Sequence, residues 1–182
     1  EMALSVHHRQ VAKSALGEFP AIIEPLAENR IGLDGKWDVG VGLWFEAVWM
    51  NKSKNIGAFT NQASLSVGTD YTFGIGNGLN VIFEQLLFAY DEKPFQLSNP
   101  FVFSTLSLNY PLGLNDNLSA LLYYDWKSSG IYNMLTWNHQ FKQFTLYGMA
   151  YSNPKTYNIP LTSSDVNLFA GTGVQVMLVI NH

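Results

Sequence analysis

The sequence predicts an all-β chain: an antiparallel, up-and-down transmembrane β-barrel, or the C-terminal portion of a larger one. Three observations lead there. Apolar residues recur at every second position over long segments, the connections between those segments alternate between short and long, and a heavy aromatic load accompanies no apolar run long enough for a membrane helix.

Period-two patterning comes first, because successive side chains of a strand point to opposite faces. From Trp37 to Trp49 one face carries Trp37, Val39, Val41, Leu43, Phe45, Ala47 and Trp49, and the other Asp38, Gly40, Gly42, Trp44 and Glu46. Between Gln62 and Ile75, Ala63, Leu65, Val67, Tyr71, Phe73 and Ile75 oppose polar or small residues. In even phase the pattern returns at Val102–Tyr110, Leu118–Trp126, Phe144–Ala150 and Val166–Ile180. Leu79–Tyr90 starts in phase and then turns apolar on both faces, and Ile131–His139 places Asn133 among its apolar positions.

The connections form the second signal. Short ones fall at Gly76-Asn77-Gly78, Gly113–Asn117 and around Phe141-Lys142, where Gly and Asn supply the positive φ of tight turns. Longer ones fall at Lys52–Thr60, Asp91–Pro100, Lys127–Gly130 and Asn153–Asp165. Near the start, Met2, Leu4 and Val6 alternate with Ala3, Ser5 and His7, and Lys13–Asn29, with Pro20 and Pro25, reads as a long loop or short helix. A single barrel domain is therefore expected over 1–182: residues 1–33 give one strand plus a long loop, and 34–182 about eight meandering strands. An odd total of about nine implies a missing N-terminal neighbour, a miscounted strand or closure by other protein chains, since such barrels usually have an even number.

Composition supplies the third signal. Of 182 residues, 47% are hydrophobic, 14% aromatic and only 13% charged, apolar for a soluble globule of this size. The absence of Cys removes disulfides and thiolate metal or redox sites, and a net charge of −4 argues against nucleic acid as a partner. Glu1–Arg9 alternates instead of presenting a basic end and an apolar block, so the chain is expected to be mature, trimmed or a fragment.

Strand ends carry aromatics at the positions where headgroups would lie. Trp37, Tyr71, Phe73, Tyr110 and Phe144 mark one interface, and Trp49, Tyr124 and Trp126 the other. A strand from Trp37 to Trp49, tilted by ~45°, would climb roughly 28 Å, one hydrocarbon thickness.

With these features the chain resembles bacterial outer-membrane β-barrel proteins of the porin-like kind, from Arg30 to His182. Asp34–Glu46 looks like a strand of such proteins, and Gly173 followed by Val176 and Leu178 is similar to their C-terminal assembly signal. The chain departs from them at Ile180-Asn181-His182, where they end in Phe or Trp; a terminus further on, or altered recognition by the insertion machinery, is expected. The resemblance implies residence in the bacterial outer membrane, with the lipid bilayer and small solutes or ions as partners and short turns on the periplasmic side.

Acidic residues Asp38, Glu46, Asp70, Glu84 and Asp125 take the polar phase and are the pore-lining candidates. A ring of fixed carboxylates in a narrow aqueous passage attracts cations, so a mild cation preference is expected; the bland alternative is that they solvate a lumen or bond to nearby Tyr and Asn. His7 and His8 face opposite sides and His139 stands alone, so no metal site is expected, and no motif calls for a cofactor. Ser128 or Ser152 with His139 can be imagined as a catalytic pairing, but no motif fixes its geometry; an enzyme is not expected. Gly40, Gly42, Gly171 and Gly173 are expected to face inward and make room for Trp44, Phe169 or Tyr123.

The leading expectation is passive diffusion of small hydrophilic solutes or ions. The alternative is a non-conducting structural or interaction barrel that presents its loops or joins a larger assembly. A soluble ligand-binding barrel is the third reading, and it requires the apolar face to point inward.

Overall fold

In the computed structural model, which describes residues 1–11, 26–155 and 169–180, every regular element among the described residues is a β-strand. The strands are β1 (Met2–Val11), β2 (Leu26–Asp38), β3 (Gly42–Lys52), β4 (Asn61–Phe73), β5 (Leu79–Asp91), β6 (Phe101–Pro111), β7 (Asp116–Asp125), β8 (Gly130–Gln140), β9 (Phe144–Ser152) and β10 (Thr172–Ile180). They lie in one ten-stranded sheet in sequence order. This antiparallel, up-and-down meander is the all-β class that the alternation predicts. Among the described residues no helix is long and apolar enough to cross a membrane.

The strand expected from Trp37 to Trp49 is instead two strands joined by a tight turn at 39–41. Gly40 has φ +92°, and Val39 N donates to Val41 O at 3.1 Å. In this hairpin each couple, such as Trp37↔Leu43 or Asp38↔Gly42, joins residues of equal parity. The apolar phase therefore passes through the turn unbroken and imitates one long strand. Trp37 and Trp49 thus belong to different strands, the ~28 Å single-strand span between them does not exist, and the described residues hold an even ten strands.

The extra hairpin also completes the alternation of connections. Short turns occupy 39–41, 74–78, 112–115 and 141–143, while 53–60, 92–100 and 153–171 are long and 126–129 is intermediate. Most of the expected loop or helix at Lys13–Asn29 lies outside the described residues, but Leu26–Asn29 already belong to β2. Val166 and Leu168, expected to open the last strand, also lie outside the described residues, as does His182; β10 starts at Thr172.

The chain divides into two compact units: Glu1–Gly68 with Leu86–Val102, and Thr69–Gln85 with Phe103–His182. In the first, Leu26, Met50 and Ala89 are buried, and in the second Phe103; no other hydrophobic residue among the described ones is. Fully enclosing a Leu or Phe side chain gains ~1.5–3 kcal/mol, and a soluble fold collects that gain many times over. Here many large apolar side chains of the described strands are exposed. Val41 and Leu65 in the first unit are 37% and 41% exposed, and Leu122 and Val176 in the second 39% and 70%.

In the first unit Trp37 lies at the turn end of β2 and stacks on Phe45 at 5.7 Å, while Trp49 lies at the loop end of β3 and stacks on Phe95 at 4.7 Å. In the second, Tyr71 and Phe73 meet edge to face at the turn end of β4, Phe141 and Phe144 stack beside Lys142, and Tyr110 reaches under Gly76. Tyr124 and Trp126 meet edge to face at the loop end of β7. Within each unit these aromatics lie at or near strand ends.

Candidate functional site

Register, more than any single motif, decides what shares a face. In β1–β3 the couples Arg9↔Glu28↔Lys52, His7↔Arg30↔Met50, Asp34↔Glu46, Lys36↔Trp44 and Asp38↔Gly42 all lie on the face opposite Ile31, Leu33, Trp37 and Leu43. Trp44 lies over Gly68, which puts this part of β4 on the same face. The first unit therefore presents one apolar face and one densely charged face, each built by strand alternation.

The charged face has two zones along the strands. At the loop end Glu28, only 3% exposed, accepts hydrogen bonds from both Arg9 Nε at 2.8 Å and Arg30 Nε at 2.7 Å, through the same Oε1. Two arginines satisfy a carboxylate that would be costly to bury alone. Closer to the 39–41 turn, Asp34 and Glu46 sit directly opposite one another, an arrangement that repels unless a cation or water screens it. Asp38 follows at the end of β2, exposed like Glu46. Among the described residues the carboxylates of Asp34, Asp38 and Glu46 have no hydrogen-bond or ion-pair partner.

Of the pore-lining candidates, Asp38 and Glu46 thus share a face with Asp34, which the sequence reading omitted although it has the same parity. Asp70 and Glu84 belong to the second unit, both half-buried. Asp125 needs correction. It is 6% exposed, and its carboxylate accepts hydrogen bonds from Lys127 N (2.9 Å), Ser128 N (3.3 Å) and Ser128 Oγ (2.7 Å), closing the 126–129 turn. A carboxylate so occupied holds a turn and does not face a passing ion. Arg9, Glu28, Arg30 and Lys36 were missed as members of the charged face. Parity could have placed Arg30 and Lys36, but the Arg9–Glu28 pairing depends on a register that crosses 12–25.

His139 does not stand alone: its Nδ1 lies 2.7 Å from Asp116 Oδ1, across the β7–β8 pair. The imagined Ser/His pairings separate. Ser128 is at the other end of β8 from His139, and Ser152 sits opposite Asn133, roughly 20 Å along the strand from His139. Ser152 Oγ instead meets Thr172 Oγ1 at 3.1 Å. Among the described residues no three His, Asp or Glu side chains are grouped to hold a metal.

Glycines make room for rings, but not as the sequence suggests. Gly40 and Gly171 are turn residues with φ of +92° and +77°. Gly173 does lie beneath an aromatic, which is Tyr151 and neither Phe169 nor Tyr123. Tyr123 instead stacks on Phe103 at 5.1 Å and meets Tyr132 edge to face at 5.4 Å. Phe169 meets Tyr151 edge to face at 5.4 Å.

Compared with protein-family models, curated proteins and solved structures, the chain matches none of them.

Proposed function

We propose that the protein is a porin-like β-barrel of a bacterial outer membrane, with its apolar strand face against lipid and its charged face lining an aqueous interior. Small hydrophilic solutes or ions diffuse through that interior passively. The observation that carries this reading is the exposure of Leu, Val and aromatic side chains at alternate positions along the strands. A bilayer rewards that surface, and water does not. Strands of 9 to 13 residues also match the ~9–11 that a tilted membrane strand needs.

Asp34, Asp38 and Glu46 give the turn half of the first unit's charged face a negative field, so cations are favoured there. The decisive experiment reconstitutes the purified protein into planar bilayers and reads the reversal potential in a salt gradient. Discrete conductance with a cation-signed potential supports the reading; an anion-signed potential removes the cation preference, and failure to partition into detergent removes the membrane assignment.

A second reading is a barrel that inserts without conducting and presents its loops or joins a larger assembly. It is favoured by Phe103, Tyr123 and Tyr132, rings packed in contact in the second unit, because a small barrel has room for little more than its own side chains. Intact insertion with no conductance selects it.

A further inference from the structure

We propose that Arg9, Arg30 and Lys52, gathered around Glu28 at the loop end of β1–β3, bind a free phosphate-class dianion. The charges do not cancel. Among the described residues at this end of the three adjacent strands one carboxylate faces three cations, an excess of two positive charges. Both guanidiniums contact Glu28 through Nε alone, and among the described residues their terminal nitrogens carry no other hydrogen bond. Each guanidinium has five N–H donors, so among the described residues most of its capacity is unused.

Exposure arranges the same groups as a floor and a rim. Glu28 is 3% exposed, whereas the Arg9 and Arg30 side chains are 48% and 38% exposed. The buried carboxylate holds both forks in place, which lowers the ordering cost of capturing a ligand. Lys52 closes the row on the far side of Glu28, and His7 lies opposite Arg30 on the same face. Fixed guanidinium forks match the oxygens of phosphate in number and spacing, and the net charge matches a dianion better than a single carboxylate. The site faces away from the apolar surface, so a dissolved anion, not a lipid headgroup, is its occupant.

The test is calorimetric titration of the full chain, folded in detergent micelles, with inorganic phosphate against chloride of matched ionic strength. Saturable binding is expected, weakened about tenfold by Arg9→Gln or by Arg30→Gln and lost when both are combined. Lys36→Gln, on the same face but away from the cluster, leaves affinity within about twofold, the size of a screened long-range charge effect. Each single variant keeps one guanidinium on Glu28, so the fold is preserved. A response no greater than that of chloride, or equal affinity in the double variant, overturns the site; so does binding seen only to phosphatidylglycerol vesicles and not to inorganic phosphate. The site lies within one unit and needs no conduction, so it and the channel reading fail independently.

Discussion

The indole of Trp44 lies over the backbone of Gly68, in the space that a Cβ at that position would occupy. Glycine inside a strand forfeits ~0.5–1 kcal/mol relative to alanine, and here the flat packing of the ring offsets it. Gly68→Ala should drive the indole off the sheet and cost ~1–3 kcal/mol, the usual penalty of overpacking. The urea midpoint of the detergent-folded protein measures this. In a Trp44→Ala background the same substitution should cost almost nothing, and a full penalty there would mean that the ring is not the obstacle.

The 39–41 turn explains both what was legible in the chain and what was not. Alternation reports which face a residue takes, and it did so through both β2 and β3; it cannot report a reversal that preserves parity, as the Asp38↔Gly42 couple does. The only local sign was Gly40, which reads equally well as an inward-facing strand glycine. The charged face divides in the same way. Asp38 and Glu46 follow from parity alone, whereas the Arg9–Glu28 bond joins residues 19 apart through a register that no pattern specifies. Asp125 has the right parity and the wrong role, because its turn partners Lys127 and Ser128 are ordinary loop residues until the carboxylate is seen to bridge them.

Gly40, at φ +92°, occupies a backbone region that L-residues with a Cβ avoid. Gly40→Ala should therefore destabilise by about 1–2 kcal/mol although no atom lies within 4 Å of the added methyl. Gly113→Ala, equally unobstructed but without positive φ, is the control and should be close to neutral. Equal effects at both positions would remove the conformational explanation.

Asp125→Ala removes the acceptor for Lys127 N, Ser128 N and Ser128 Oγ. With a net ~0.5–1.5 kcal/mol for a typical hydrogen bond and more for a charged acceptor, a loss of ~2–3 kcal/mol is expected. Its reversal potential in planar bilayers should match that of the parent protein. Glu46→Gln should behave in the opposite way, with unfolding little changed and the potential shifted towards anions, since Glu46 is exposed and opposes Asp34. A shift with Asp125→Ala and none with Glu46→Gln would reverse the two roles.

Ser64 and Leu65 are adjacent in β4, so they sit at nearly the same depth and point to opposite faces. If lipid covers the Leu65 face, Leu65→Lys should cost ~2–4 kcal/mol near the bilayer midplane, and Tyr71→Lys, close to the turn end, only ~0–1 kcal/mol. Ser64→Lys, on the polar face, should fall in the lower range despite its depth. Reversible urea unfolding from lipid vesicles gives all three values. Water on both faces predicts three small, similar penalties, and an enclosed apolar core predicts large ones at Leu65 and Tyr71 alike; only lipid contact makes the cost depend on both face and depth.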